Sequence, residues 1–297
     1  MKVCTRGAVS LLMAPVLLLS GCFLPTHRKL PVPIAPAVIQ TVPAATLVAQ
    51  LNQRWDELKS LSVTVDMRAT VTKSKQGEAS DYPSIPGIIL LRKPEMLRVF
   101  GQVPVVRTRL LDMVSDGKQF TLWIPQSNKA IEGPVTEAQT KSANQLENLR
   151  PGFFFDSIVV RGLSPGDEYF RAADTDTVED AAKKHLYLVP EYLLNVVHRR
   201  KGSQELDPVR VIHFHRADLL PYQQDLYDSD GNLETQVIYG RYADYGDHKY
   251  PSTITIKRPL EGLQLVLTVQ KVTQNLDLKN DAFELQLPPE TKVQNLQ

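Results

Sequence analysis

The stretch "SVTVDMRATVT", Ser62 to Thr72, decides the fold. Val63, Val65, Met67, Ala69 and Val71 alternate with Ser62, Thr64, Asp66, Arg68, Thr70 and Thr72. A period of two puts one apolar and one wet face on a β-strand. Just upstream the period changes: Leu47, Leu51, Trp55 and Leu58 recur at helical spacing between Pro43 and Leu61, with Gln50, Asn52, Glu57 and Lys59 among them. That spacing predicts an amphipathic helix leading into the strand.

Downstream the strand pattern persists. Ile88 to Leu91, Met96 to Phe100, Val105 to Val114 and Phe120 to Ile124 read as strands, with turns at Ser115-Asp116-Gly117-Lys118 and Gln126-Ser127-Asn128-Lys129. The polar run from Pro134 to Leu149 is expected to be helical, followed by a short apolar helix from Phe153 to Val160. An acidic stretch around Asp174 to Asp180 reads as a solvated loop opening a short helix. Strands then resume over His185 to Val189, Leu193 to Arg200, Val209 to Arg216, Gln223 to Tyr227, Leu233 to Tyr242, Ser252 to Lys257, Leu263 to Thr273 and Phe283 to Leu287. Turn signals fall between several of them, at Lys201-Gly202, Asp230-Gly231-Asn232 and Glu261-Gly262. Strands never alternate with full helices, so the sheet should be antiparallel. Ten or more strands with one apolar face meet only two or three helices. The sheet must therefore curl, pair with a second sheet, or leave a lipid-sized hollow.

The amino terminus carries a different message. Lys2 and Arg6 precede an apolar run, Ala8 to Ser20, that Pro15 interrupts and that is too short to span a bilayer. Leu19-Ser20-Gly21-Cys22 then resembles the lipobox of bacterial lipoproteins, which implies cleavage between Gly21 and Cys22 and a lipid, palmitate among its acyl chains, on the Cys22 thiol. Cys4 would leave with the signal peptide, so an exported chain would hold no free thiol once Cys22 is acylated. More than one acyl chain is needed for stable anchoring, at roughly 0.8 kcal/mol per buried methylene. Phe23 follows where an aspartate marks inner-membrane retention in Gram-negative lipoproteins, so the resemblance implies the periplasmic face of the outer membrane. Pro25, Pro31, Pro33, Pro36 and Pro43 make residues 22–44 a polyproline-II tether, about 60 Å long at full length. The expected organisation is a signal peptide over 1–21, the acylated cysteine and tether over 22–44, and one domain over 45–297.

Charge excludes one class of partner. The chain has 34 basic and 33 acidic residues, and loss of Lys2 and Arg6 leaves it nearly neutral, with no footprint for nucleic acid. No metal site is expected: His213 and His215 share a strand face without a third ligand, and Asp228 to Asn232 places its glycine fourth rather than sixth for an EF-hand. His198-Arg199-Arg200-Lys201 reads as a solvated hairpin end. No C-x-x-C, H-E-x-x-H or phosphate-cradling glycine loop occurs, and no enzymatic activity or cofactor beyond the covalent lipid on Cys22 is expected.

The order of pieces resembles the LolA/LolB lipoprotein carriers and their relatives among outer-membrane lipoprotein-sorting proteins. The resemblance rests on the helix and long strand, then "LLRKPEMLRVF" from Leu90, "DMVSDGKQFTLWIPQSNKAIEG" from Asp112, "YDSDGNLETQVIYGRYADYG" from Tyr227 and "NDAFELQLPPE" from Asn280. It spans roughly Thr46 to Val293. It implies a mainly β fold with a few helices, an incomplete (half) antiparallel β-barrel of about ten or eleven strands capped by helices, whose hollow receives acyl chains. It also implies that Lys93, before Pro94, helps hold a lid closed, with arginine the usual residue there. Ile85 and Leu163 fall in segments read as loops, where LolB exposes an apolar residue. On this reading Val63, Val65, Met67, Leu263, Leu265 and Leu267 are candidates to line the hollow. Candidate partners are lipoproteins or phospholipid acyl chains, the membrane through the anchor, and other envelope proteins. The competing reading is a packed structural or interaction module of an envelope assembly.

Overall fold

The computed structural model describes residues 32–73, 78–106, 108–135, 147, 149–180 and 185–296. Residues 1–21, expected to be a signal peptide, and Cys22 lie outside the described residues, as does most of the helix expected over 134–149.

Helix α1 (Ala44–Glu57) runs into β1 (Ser60–Lys73), where the sequence changes period. Then come β2 (Glu78–Asp81), β3 (Ile85–Arg92), β4 (Met96–Gln102), β5 (Arg109–Ser115), β6 (Gln119–Ile124) and β7 (Lys129–Pro134). Helix α2 (Pro151–Ile158) separates these from β8 (Glu168–Asp180), β9 (His185–Arg199), β10 (Leu206–His215), β11 (Pro221–Tyr227) and β12 (Leu233–Tyr239). A small hairpin, β13 (Tyr242–Tyr245) and β14 (His248–Pro251), precedes β15 (Thr253–Arg258), β16 (Leu263–Gln274) and β17 (Lys292–Asn295).

Fifteen strands form one sheet in the order β17-β7-β6-β5-β4-β3-β1-β16-β15-β12-β11-β10-β9-β8, with β2 also on β1 and β13–β14 apart as a separate pair. Every neighbouring pair is antiparallel except β17 with β7. The sheet does not close, because β8 and β17 are its two free ends. This is the incomplete barrel expected, with more strands than the ten or eleven foreseen.

β1 is the seam of the molecule. One edge pairs with β3, Val63 opposite Ile89, and the other with β16, Met67 opposite Leu267 and Val71 opposite Leu263. The alternation in "SVTVDMRATVT" becomes the burial pattern: Leu61, Val63, Val65, Met67 and Val71 are all buried. Turns behave as their residues require. Asp116 Oδ1 accepts from the Lys118 and Gln119 amides, and these bonds hold its carboxyl below the usual carboxylate range. Asp228 Oδ1 does the same for Asp230 and Asn232.

Three expectations are corrected. Asp174 to Asp180 is the end of the long edge strand β8, paired residue for residue with β9, because backbone pairing outweighs its polar composition. The two strands expected around Pro190 are one, since β10 ends opposite Glu191 and Pro190 needs no donor on that side. Phe283 to Leu287 is not a strand: a 3-10 turn over Asn280–Phe283 leads to β17 instead.

The proline-rich segment is also engaged beyond its first residues. Ile34 bridges Tyr187, with Ile34 N donating to Leu186 O at 2.7 Å, and Gln40 N donates to Arg216 O at 2.8 Å. Tyr192 Oη donates to Gln40 O at 3.2 Å, and Arg171 donates to Val42 O. Residues 34–43 are therefore laid on the sheet beside α1.

α1 and α2 fill the concave side. Leu47 and Leu51 pack with Tyr192, Leu194, Ile212, Phe214 and Leu219, while Phe153, Phe154 and Phe155 of α2 enter the larger cluster around β1. Trp55 meets Phe155 edge-on, with centroids 6.3 Å apart.

Gly87 and Gly101 face each other across β3–β4 and make the slot for the Met67 side chain. A Cβ on Gly87 would lie 2.2 Å from Met67 Cε and 2.7 Å from Phe100 O, and the carbonyl cannot move aside. Gly87→Ala is expected to cost about 2 kcal/mol by overpacking, measured as a shift of the urea midpoint at unchanged slope.

Candidate functional site

Where β1 and β16 run out past the helices, the concave face is not filled. A cavity of about 490 Å³ lies there, lined by Met67, Ala69 and Val71 of β1, Leu263 and Leu265 of β16, Ile85 of β3, Val99 of β4, Leu111 of β5, Ile124 of β6, and Leu149 and Phe154 at α2. Tyr82, Pro83, Gln126 and Ser127 also line it. Tyr82 is half exposed, which marks the open side. The floor follows from register: Met67, Ala69 and Val71 alternate along β1 toward the same face as Leu267, Leu265 and Leu263 opposite them.

The roof is held by three arginines, of which Arg150 and Arg258 are buried. Arg150 donates to Glu147 O and Leu149 O, each at 2.9 Å, and its guanidinium lies over Phe120 at 5.2 Å. Arg258, itself buried, lies over Phe153 at 5.3 Å and pairs with Glu261 at 2.6 Å and Glu234 at 3.1 Å. Arg161 pairs with Asp156 and covers Phe155 at 4.3 Å. These contacts fix α2 and with it Phe154.

Of the six residues proposed from sequence, Met67, Leu263 and Leu265 border the cavity. Val63, Val65 and Leu267 are buried in the packed core alongside it. Ile85 is not in a loop: it belongs to β3 and borders the cavity. Leu163 is partly buried against the α1 cluster. Phe154, Leu149 and Leu111 were not singled out. Period-two reading of β5 could have found Leu111, but only the fold brings α2 over β1. Lys93 lies away from the cavity, at the end of α1: its Nζ donates to Trp55 O at 2.5 Å and sits 4.3 Å from the Trp55 ring, and its amide donates to Lys59 O.

The polar constellations bind inward. His213 Nδ1 is 2.9 Å from Glu191 Oε2 and its Nε2 3.3 Å from Asp225 Oδ2, while Tyr222 donates to the same Glu191 oxygen. His215 stacks on the Tyr222 ring at 4.0 Å and His213 meets the same ring edge-on at 5.7 Å, so the tyrosine lies between the two histidines. Among the described residues, no three His, Cys, Asp or Glu side chains are grouped to hold a metal ion. The expectation that nucleophile signatures, G-x-S-x-G among them, are missing is corrected: Gly162-Leu163-Ser164-Pro165-Gly166 has that spacing of a hydrolase elbow. The structure puts it in a turn leading into a strand rather than between strand and helix, with Ser164 N donating to Asp167 Oδ2 at 2.7 Å. No helix among the described residues is long and apolar enough to cross a membrane.

With this geometry in view the fold class is clear: an open, strongly curled antiparallel sheet holding two helices in its hollow. One of the solved structures similar to this chain clears a TM-score of one half and supports that fold. A DUF1329 family protein from Desulfovibrio piger superposes with a TM-score of 0.54 at 14% identity, covering 81% of this chain and 95% of its own. A LolA superfamily protein from Nitrosomonas europaea gives 0.48 at 14% identity, covering 82% and 99%. A Vibrio parahaemolyticus domain named for outer-membrane lipoprotein sorting gives 0.47 at 13%, covering 81% and 94%. No protein-family model matches the chain, and no curated protein does.

The His213 network makes stability depend on pH. Burial lowers the His213 pKa, but its bonds to Asp225 and Glu191 outweigh that and raise it above 6.5. A raised folded-state value means a contribution fully present below the unfolded pKa and lost as pH rises through the folded one. His213→Gln is expected to destabilise by about 2 kcal/mol at pH 6 and by less at pH 9, read from urea unfolding at the two pH values.

Proposed function

We propose that the protein is an outer-membrane lipoprotein that binds acyl chains, free or carried by another lipoprotein, without covalent chemistry, in the cavity over β1 and β16. The observation that carries this is the cavity itself: about 490 Å³, lined almost wholly by apolar side chains and open at Tyr82. That volume is within the range of small-molecule sites, and each Å² of acyl chain removed from water contributes roughly 25 cal/mol. Among the described residues the lining holds no Asp, Glu, His, Lys or Arg, which suits the recess to desolvating an apolar chain. Transfer or localisation of lipids or lipoproteins within the envelope is the role such binding would serve. The order of sequence pieces shared with the LolA/LolB carriers supports the same role.

On this reading Cys22 attaches the chain to the membrane. Residues 34–43 are bound to the sheet, so at most residues 23–33 serve as spacer, which at full extension reach no more than about 40 Å. The domain would work close to its membrane.

Two results test the reading. Leu265→Trp fills the cavity and is expected to weaken saturable binding of a fluorescent hexadecanoic acid by about tenfold or more while the thermal midpoint stays within a few degrees. Absence of saturable binding to the unsubstituted protein, or unchanged affinity in the folded variant, would sink it. Cys22→Ala is expected to abolish metabolic labelling with palmitate and to move the protein from the membrane fraction to the soluble one; a labelled or membrane-retained variant removes the anchor from the account.

A further inference from the structure

The cavity over β1 and β16 is polar at one place only. Its exposed lining residues are Tyr82 and Pro83, in the link between β2 and β3, and Gln126 and Ser127, in the turn after β6. These two segments form the mouth. The rest of the lining is buried or half-buried, with Phe154 and Leu149 at the roof and Leu111 and Ile124 in the wall, and no side chain of that interior carries nitrogen or oxygen. A polar group drawn inside would lose its water without gaining a side-chain partner. A ligand must therefore enter with its apolar end first and leave its polar end at the mouth. Tyr82, Gln126 and Ser127 are neutral, so among the described residues the lining offers a carboxylate no more charge than an ester.

Volume limits what the apolar end can be. A dry apolar cavity of about 150 Å³ takes benzene, which is roughly 25 Å³ per carbon. At that density a cavity of about 490 Å³ accommodates about 20 carbons. One acyl chain of about 16 carbons fits within this limit, whereas two, at about 32, exceed it by half.

We propose that the cavity is a single-chain site. It takes one acyl chain, methyl end first, up to about 20 carbons, and leaves the headgroup in water between Tyr82 and Gln126. The inference rests on the acyl reading above and narrows its ligands to lipids with one chain, fatty acids and lysophospholipids; a two-chain lipid would keep its second chain in water.

Displacement of the fluorescent hexadecanoic acid by saturated fatty acids of increasing length tests the limit on the full chain. Affinity is expected to rise about fourfold per methylene at short lengths and to level off near about 20 carbons, once the cavity is full. Native mass spectrometry is expected to find a single hexadecanoic acid per protein. With the headgroup held constant, monopalmitoyl phosphatidylethanolamine is expected to bind at least about tenfold more tightly than the dipalmitoyl lipid; weak binding of both, beside tight hexadecanoic acid, restricts the site to fatty acids. Ala69 is the smallest side chain in the lining and faces Leu265 across the seam, so substitution here removes space in known steps. Ala69→Leu is expected to lower the levelling point by about three carbons and Ala69→Val by about two, with the thermal midpoint within a few degrees. Affinity that climbs at the same rate beyond about 20 carbons, two chains held per protein, or a levelling point that neither variant moves overturns the single-chain site and leaves the acyl reading standing. Absence of binding at every length removes both.

Discussion

Everything in this structure hangs on the pairing of β1 with β16. These strands come from opposite ends of the chain, yet Leu61 to Val71 match Gln274 to Leu263 almost without break. β1 also carries β3, so the strands of the amino-terminal half, β3 to β7, and those of the carboxy-terminal half, β8 to β12 and β15, meet only through this seam. Such non-local pairing must overcome a large loop-closure entropy, and it does so by burying an alternating row of Val, Met and Leu from both partners. A one-residue slip would turn that row to water.

From the seam follows the hollow. A sheet of this width twists and curls, and its concave side must be covered by whatever helices the chain supplies. Two are described, and they are not enough: α1 covers β9 and β10, α2 covers the middle, and the far end over Met67, Val71 and Leu265 is left open. The Gly87–Gly101 pair contributes by letting Met67 lie flat against the sheet rather than stand up into the space. Among the described residues, the apolar cavity lies where neither α1 nor α2 covers the sheet.

Buried polar groups are placed where they restrain this arrangement. Arg150 and Arg258, both buried, and the partly exposed Arg161 each cover a phenylalanine of the core and bond to carbonyls or carboxylates, which locks α2 over the cavity. His213 between Glu191 and Asp225 does a similar job for β9, β10 and β11.

The sequence by itself determined the elements with a clear period: α1, β1, the turns at Asp116 and Asp228, and the β16 strand all follow from local spacing and turn chemistry. It also determined that a mostly antiparallel sheet outweighs its helices. It did not reveal the long edge strand β8, whose acidic residues read as loop until β9 pairs with them, nor the end of the chain, where β17 finds a parallel partner in β7. Nor could it separate lining from core. Val63 and Met67 are the same kind of residue in the same pattern, and only the tertiary structure, by placing α2 near one and not the far rim, made the first a packed side chain and the second a wall of a cavity. The physical reason is that periodicity reports which face is shielded from water, while what shields it is set by elements distant in the chain.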